Sequence, residues 1–285
     1  MTAAIGPIRS GRRILGKLRD RAAYTFRAAK YGPRDAGKDP SGRGQAALGK
    51  WPAKVDEEAV AEDTNPLRHF FQERRTGPGI WKWDHYFDIY DRHFRRFRGT
   101  DVHVLEIGVY SGGSLDMWRD YFGPGCSMYG VDIEDACRAY ERDGVKIFIG
   151  DQADRNFWGA FRAAVPRVDI VIDDGGHEAE QQIVTLEELV PHMRSGGVFL
   201  CEDVHRTENP FQRYVAGLAR NLNEFNATGN IDDNERRIVA AASMFQMRLD
   251  SIHLYPYVAV LERARRERRE FVAPKHGTEW EPFLR

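Results

Sequence analysis

Two short acidic clusters hold the residues best suited to chemistry: Asp173-Asp174-Gly175-Gly176-His177 and Glu202-Asp203-Val204-His205. Each ends an apolar run that reads as a strand, so neighbouring parallel strands would carry both clusters to one sheet edge. Acids gathered that closely are costly unless something offsets their repulsion, and a divalent cation would do so. The charged donors are oxygens and no thiolate lies among them, which favours Mg²⁺ over structural zinc. A zincin pattern fails, because His177-Glu178 is followed by Gln181 where a second histidine is needed. A hydroxyl beside such an ion loses its proton more readily. Histidine, with an ordinary pKa of about 6.5, can take that proton near neutral pH. His177, three residues after Asp174, is placed to do this; His205 is either a substrate contact or a polar opening to the next helix.

A second constellation lies upstream. The run VHVLEIG leads directly into Glu106-Ile107-Gly108-Val109-Tyr110-Ser111-Gly112-Gly113-Ser114. Glycines there let backbone approach a ligand closely, and Gly112 and Gly113 open the following helix. Asp132 ends the next strand, where an acid can accept hydrogen bonds from ribose hydroxyls. Asp151 and Gln152 follow the third and could meet an adenine. The spacing is E-x-G-x-x-x-G, not the G-x-G-x-x-G of a dinucleotide site. Glu106 would repel a pyrophosphate but suit a cationic ligand. With Asp132 and Gly150-Asp151 in register, the pattern resembles the first motifs of class I methyltransferases, which implies S-adenosylmethionine as cofactor. Ser111, Ser114 and Asp173 join Glu106, Gly108, Gly112, Asp132, Asp151 and Gln152 in the expected cofactor set.

The elements that must position these residues alternate. Strands are expected at 102–108, 127–133, 145–150, 168–173 and 197–201. Helical stripes separate them: Leu115, Trp118 and Phe122, then Phe157, Trp158, Phe161 and Val165, then Ile183 through Met193. That order predicts a parallel sheet covered on both faces. Residues 251–255 and 258–262 are close enough for a hairpin, which would add an antiparallel strand. Ahead of the first strand, Trp83, Tyr86, Phe87, Tyr90, Phe94 and Phe97 recur at helical spacing and read as a buried helix face.

The segments LEIGVYSGGSLDMW, YGVDIED, IGDQAD, IVIDDGGH and FLCEDV, in that order, together resemble the metal-dependent O-methyltransferases that tailor macrolide and related natural-product sugars. The resemblance covers roughly residues 80–263. It implies a doubly wound α/β, Rossmann-like sheet of seven strands. It makes Asp174, Glu202 and Asp203 metal ligands and His177 the general base. The implied reaction is Mg²⁺-assisted methyl transfer to a hydroxyl, on a sugar of a glycosylated natural product or glycolipid. A catechol-type or other vicinal-diol acceptor is the alternative, and a non-catalytic cofactor-binding protein a third reading.

Composition bounds the rest. The 285 residues, 42% hydrophobic and 30% charged, can bury one sizeable core. A net charge of −1 gives no general attraction to nucleic acid. Residues 1–50 nevertheless carry twelve Lys or Arg against three Asp, and Ile14, Leu15, Leu18, Ala22 and Phe26 form a helical stripe among them. This reads as a solvated extension, with contact to a membrane surface as the alternative. Three widely spaced cysteines form no disulfide framework, and neither a signal peptide nor a membrane span is visible, so a cytoplasmic protein is expected. The expected divisions are an extension and linker at 1–65, the methyltransferase domain at 66–263 and a tail at 264–285. A homo-oligomer is compatible with all of this.

Overall fold

The computed structural model describes residues 64–204, 209–225, 231–232, 237–274, 276 and 277. These all belong to the compact unit Glu62–Arg285. The basic stripe near the N-terminus and His205 lie outside the described residues. No described helix is long and apolar enough to cross a membrane.

Two helices lead in: α1 (Pro66–Glu73) and α2 (Tyr86–Phe94). Asn65 caps α1, its side chain accepting from Leu67 N and Arg68 N, with Pro66 at the first turn where no donor is missed. The alternating units follow as β1 (His103–Ile107), α3 (Gly113–Phe122), β2 (Ser127–Asp132), β3 (Val145–Ile149), α4 (Arg155–Ala164), β4 (Ile170–Asp173), α5 (Ala179–Leu189), β5 (Val198–Cys201) and α6 (Pro210–Leu222). Then come β6 (Ile231–Asp232), β7 (Arg237–Ala241), α7 (Met244–Arg248), β8 (Leu249–Tyr255), β9 (Val258–Arg263) and β10 (Glu270–Pro274).

Seven strands form the main sheet in the order β3-β2-β1-β4-β5-β9-β8. The first five are parallel, and β9 and β8 close that edge antiparallel, as the hairpin expectation required. The strands read as continuous apolar runs because both faces are buried. Side chains alternate across them: Val104, Ile170, Ile172, Val198 and Leu200 pack with α2 and α3 residues such as Tyr90 and Trp118. Leu105, Val171, Phe199 and Cys201 pack with Trp158, Leu186 and Phe211 on the other face.

One expectation needs correction. Trp83 is not on the buried helix face: α2 begins at Tyr86, and Trp83 stands half exposed in the segment before it. Residues 270–274, within the expected tail, are β10 and pair antiparallel with β7 in a separate three-stranded sheet. Every β10 residue is exposed, so no burial pattern marks that strand in the sequence.

The hairpin edge is tied to α2 through Glu262. Its Oε1 lies 2.6 Å from His93 Nδ1 and its Oε2 accepts from Arg96 Nη2 at 3.1 Å. A carboxylate only accepts, so Nδ1 carries the proton, and Nε2 meets Tyr255 Oη at 2.9 Å. Burial by itself would raise the Glu262 carboxyl, but the hydrogen bonds from His93 and Arg96 outweigh it and hold it at about 2. A carboxyl depressed in the folded state stabilises fully above its unfolded value of about 4.5 and loses that contribution as pH falls towards about 2. Glu262→Gln should therefore cost on the order of 1 kcal/mol at pH 7, the difference between a charge-assisted and a neutral hydrogen bond. Urea unfolding at a series of pH values should show the gap to wild type narrowing below pH 4.5; a gap that stays constant would remove the ion pair as its cause.

Candidate functional site

The carboxyl ends of β1, β4 and β5 meet at one edge, beside the point where chain order reverses across β1. In register Ile107 pairs with Asp173, and Asp173 with Cys201. Backbone bonds carry the ladder one residue further, from Asp174 N to Ile107 O at 3.0 Å and from Glu202 N to Asp173 O at 2.8 Å. Gly108, Asp174 and Glu202 thus stand side by side. Gly108 has φ 87°, and a Cβ there would lie 2.0 Å from the Asp174 carbonyl oxygen. Only glycine permits that approach.

A cavity of about 740 Å³ opens at this edge. Gly108, Ser111, Ser114, Asp132, Asp151 and Gln152 line it, together with Asp174, His177, Glu202 and Asp203. Three of its wall residues, Tyr110, His177 and Asp203, hold φ of 47°, 59° and 52°. The left-handed region costs a non-glycine residue on the order of 1–2 kcal/mol. Such strain persists where the surroundings enforce it, and it clusters at working sites.

On the expected cofactor side, Asp132 accepts Tyr110 N at 3.0 Å and Glu134 N at 2.9 Å, one on each oxygen. These donors aim the carboxylate at the strand end while leaving each oxygen a second lone pair. Asp151 is held similarly by Ala153 N at 2.8 Å. Glu106, Gly112 and Asp173 lie behind the wall instead of lining it. Glu106 is fully buried and its oxygens accept from Ser114 Oγ and Trp118 Nε1 at 2.8 and 3.0 Å. Gly112 caps α3, φ 71°, against the Tyr140 ring. Gln152 lines the cavity, yet its amide is engaged. Oε1 accepts Gly176 N at 2.8 Å, and Nε2 donates to Asp173 Oδ1 and Thr185 Oγ1. These bonds tie Gln152 to the 173–177 turn while it lines the cavity. Burial raises the Asp173 carboxyl to about 7, against hydrogen bonds from Gln152 and Gly175.

On the acidic side, Asp174, His177 and Asp203 bring one ligand atom each within 4.8 Å of one another. His177 Nε2 is 3.9 Å from Asp174 Oδ1 and 3.6 Å from Asp203 Oδ2, while its buried Nδ1 has no hydrogen-bond partner among the described residues. Two carboxylates, no thiolate and an opening to the cavity fit a hard divalent cation. Glu202 is outside that trio, and both its oxygens sit 3.0 Å from Lys82 Nζ. The same ammonium is 2.5 Å from Asp174 Oδ2 and 3.9 Å from Glu106 Oε1. Burial alone would lower the Lys82 pKa, but Asp174, Glu202 and Glu106 outweigh it and hold it above its ordinary value. Burial and Asp174 push the Glu202 carboxyl up, with Lys82 opposing.

A strand-end acid, a glycine turn and this edge cavity are what a methyltransferase needs, and residues 105–204 match the family described as "Methyltransferase domain". Over those residues the chain is similar to a methyltransferase domain. It is 38% identical over 149 residues to the demethylmacrocin O-methyltransferase of Streptomyces fradiae, covering 50% of this chain and 36% of that protein. It is 40% identical over 122 residues to the mycinamicin VI 2''-O-methyltransferase of Micromonospora griseorubida, covering 40% and 30%. The chain thus spans about a third of the length of these relatives. Among solved structures, the MycE methyltransferase of the mycinamycin pathway, in complex with Mg and SAH, superposes with a TM-score of 0.57 at 26% identity, covering 70% of this chain and 53% of that one.

The cavity edge also involves residues that motif reading passes over. Trp83 Nε1 and Tyr86 Oη both donate to Asp203 Oδ1, at 3.1 and 2.7 Å. Burial and that hydrogen bond hold the Tyr86 phenol above its ordinary range, so it remains a donor. With Lys82, these contacts mean that the segment ahead of α2 grips all three expected metal ligands. One signal was available: a lysine between Trp81 and Trp83 in an aromatic run. Charged side chains are almost never fully buried unless paired.

Proposed function

We propose that this chain is an S-adenosylmethionine-dependent, Mg²⁺-assisted O-methyltransferase acting on a hydroxyl of a glycosylated small molecule. The observation that carries the reading is the convergence of Asp174, His177 and Asp203 in the same cavity as Asp132 and Asp151. Asp132 would hold the cofactor ribose and Asp151 the adenine side. Asp174 and Asp203, with Glu202 beside them, would hold the cation. When bound, the cation lowers the pKa of an acceptor hydroxyl. His177 would take the acceptor hydroxyl's proton, and the bound cofactor would supply the methyl group and leave as S-adenosylhomocysteine. A sugar acceptor is supported by the relatives' names, such as the mycinamicin VI 2''-O-methyltransferase. The domain limits 66–263 belong to this proposal. So does a cytoplasmic setting, supported by three buried cysteines that remain free thiols.

Calorimetric titration of S-adenosylmethionine and of Mg²⁺ tests it, with wild type beside an Asp174→Ala, Glu202→Ala double variant. Wild type should bind both, and the variant should lose Mg²⁺. Cofactor binding with no metal effect in either protein would remove the metal mechanism. Mass-spectrometric assay of a macrolide glycoside against a catechol then decides the acceptor; methylation of the catechol alone would overturn the sugar assignment.

A further inference from the structure

The Lys82 side chain is 3% exposed, and its ammonium is surrounded by acids from three strand ends: Asp174 Oδ2 at 2.5 Å, Glu202 Oε1 and Oε2 at 3.0 Å, and Glu106 Oε1 at 3.9 Å. Glu106 and Glu202 are fully buried, and Asp203 lies next in chain to Glu202. Among the described residues, Lys82 is the only Lys or Arg side chain that forms an ion pair with Asp174, Glu202 or Glu106. Burying such a set without a cation would be strongly destabilising. A core salt bridge could have been placed anywhere; this one lines the cavity, on two of the acids expected to hold a metal.

We infer that Lys82 is an internal counter-cation that holds the acidic site together before a divalent cation arrives and competes with that cation for Asp174 and Glu202. The inference rests on the metal-assisted reading proposed above. A monovalent ammonium suits this task, because it neutralises part of the acid cluster yet leaves net negative charge to attract a divalent ion. Its position also couples the site to the chain. Lys82 stands between Trp81, 86% exposed, and Trp83, whose indole donates to Asp203.

The test compares wild type with Lys82→Met, which keeps an unbranched side chain one atom shorter and removes its charge. Calorimetry should show Mg²⁺ binding about tenfold or more tighter in the variant, a conservative fraction of what a unit charge about 4 Å away exerts near a protein surface. Thermal melting in EDTA should place the variant below wild type, and saturating Mg²⁺ should raise the variant's Tm by more. If the variant does not fold, the side-chain resonance of Lys82 in ¹⁵N-lysine wild type reports instead, and Mg²⁺ should shift it. Mg²⁺ binding to wild type with equal or weaker binding to Lys82→Met, or with an unmoved Lys82 resonance, overturns the inference and leaves the metal reading standing. No Mg²⁺ binding to either protein overturns both.

Discussion

Replacing His177 with Asn should lower methyl-transfer turnover by about 10²–10⁴-fold, the usual contribution of a positioned acid–base group, and leave S-adenosylmethionine affinity unchanged. Asparagine is the cleaner variant because residue 177 holds φ 59°, a conformation Asn tolerates and Ala does not. His177→Ala should show the same loss with an added stability cost. The geometry supports a role in chemistry, not in architecture. The ring faces Asp174 and Asp203 at 3.9 and 3.6 Å, and its Nδ1 makes no hydrogen bond to a described residue. His93, by contrast, is tied at both nitrogens. Steady-state kinetics together with cofactor titration would check this. Full activity in either variant would take the base role from His177.

Trp118→Ala should have the largest effect on stability, about 3–5 kcal/mol for emptying a buried Trp site, with a further cost from Glu106. Trp118 has no exposed surface and packs edge-on against Tyr90 and Phe94, so it joins α3 to α2. Its indole also donates to Glu106 Oε1 at 3.0 Å. That carboxylate is fully buried beneath the cavity, and losing a donor leaves it underpaired. Trp118→Phe separates the two contributions, since it keeps most of the ring packing and removes the donor. Urea unfolding of both variants measures them. A loss below about 1 kcal/mol in Trp118→Ala would show that the site collapses around the gap more easily than a packed core should.

Much of the fold was legible because both faces of the sheet are covered. Runs such as Val104-Leu105 and Ile170-Val171-Ile172 are apolar at every position, and each ends where an acid or glycine begins. The hairpin expected at 251–255 and 258–262 showed itself by the closeness of its two runs, although β8 is mixed in polarity. β10 did not, because a strand with no buried residue leaves no pattern to read. Trp83 was misread for a related reason: helical spacing of aromatics does not reveal where the helix starts, and it starts three residues later.

The candidate site divides along the same line. Residues that follow a strand directly, such as Asp132, Asp174 and Asp203, could be placed from the sequence, since parallel strands bring their carboxyl ends to one edge whatever the details. Which acids face the cavity and which support it was decided only by the tertiary structure. Glu106, Asp173 and Gln152 turn to buried partners on elements far away in sequence, Trp118, Thr185 and Gly176 among them. Lys82 reaches Asp174 and Glu202 across 92 and 120 residues. Chain order and local periodicity thus determined the strands and the edge at which acids gather. Long-range contacts alone decided how those acids are neutralised, because the charge that offsets them comes from a segment with no pattern linking it to the sheet.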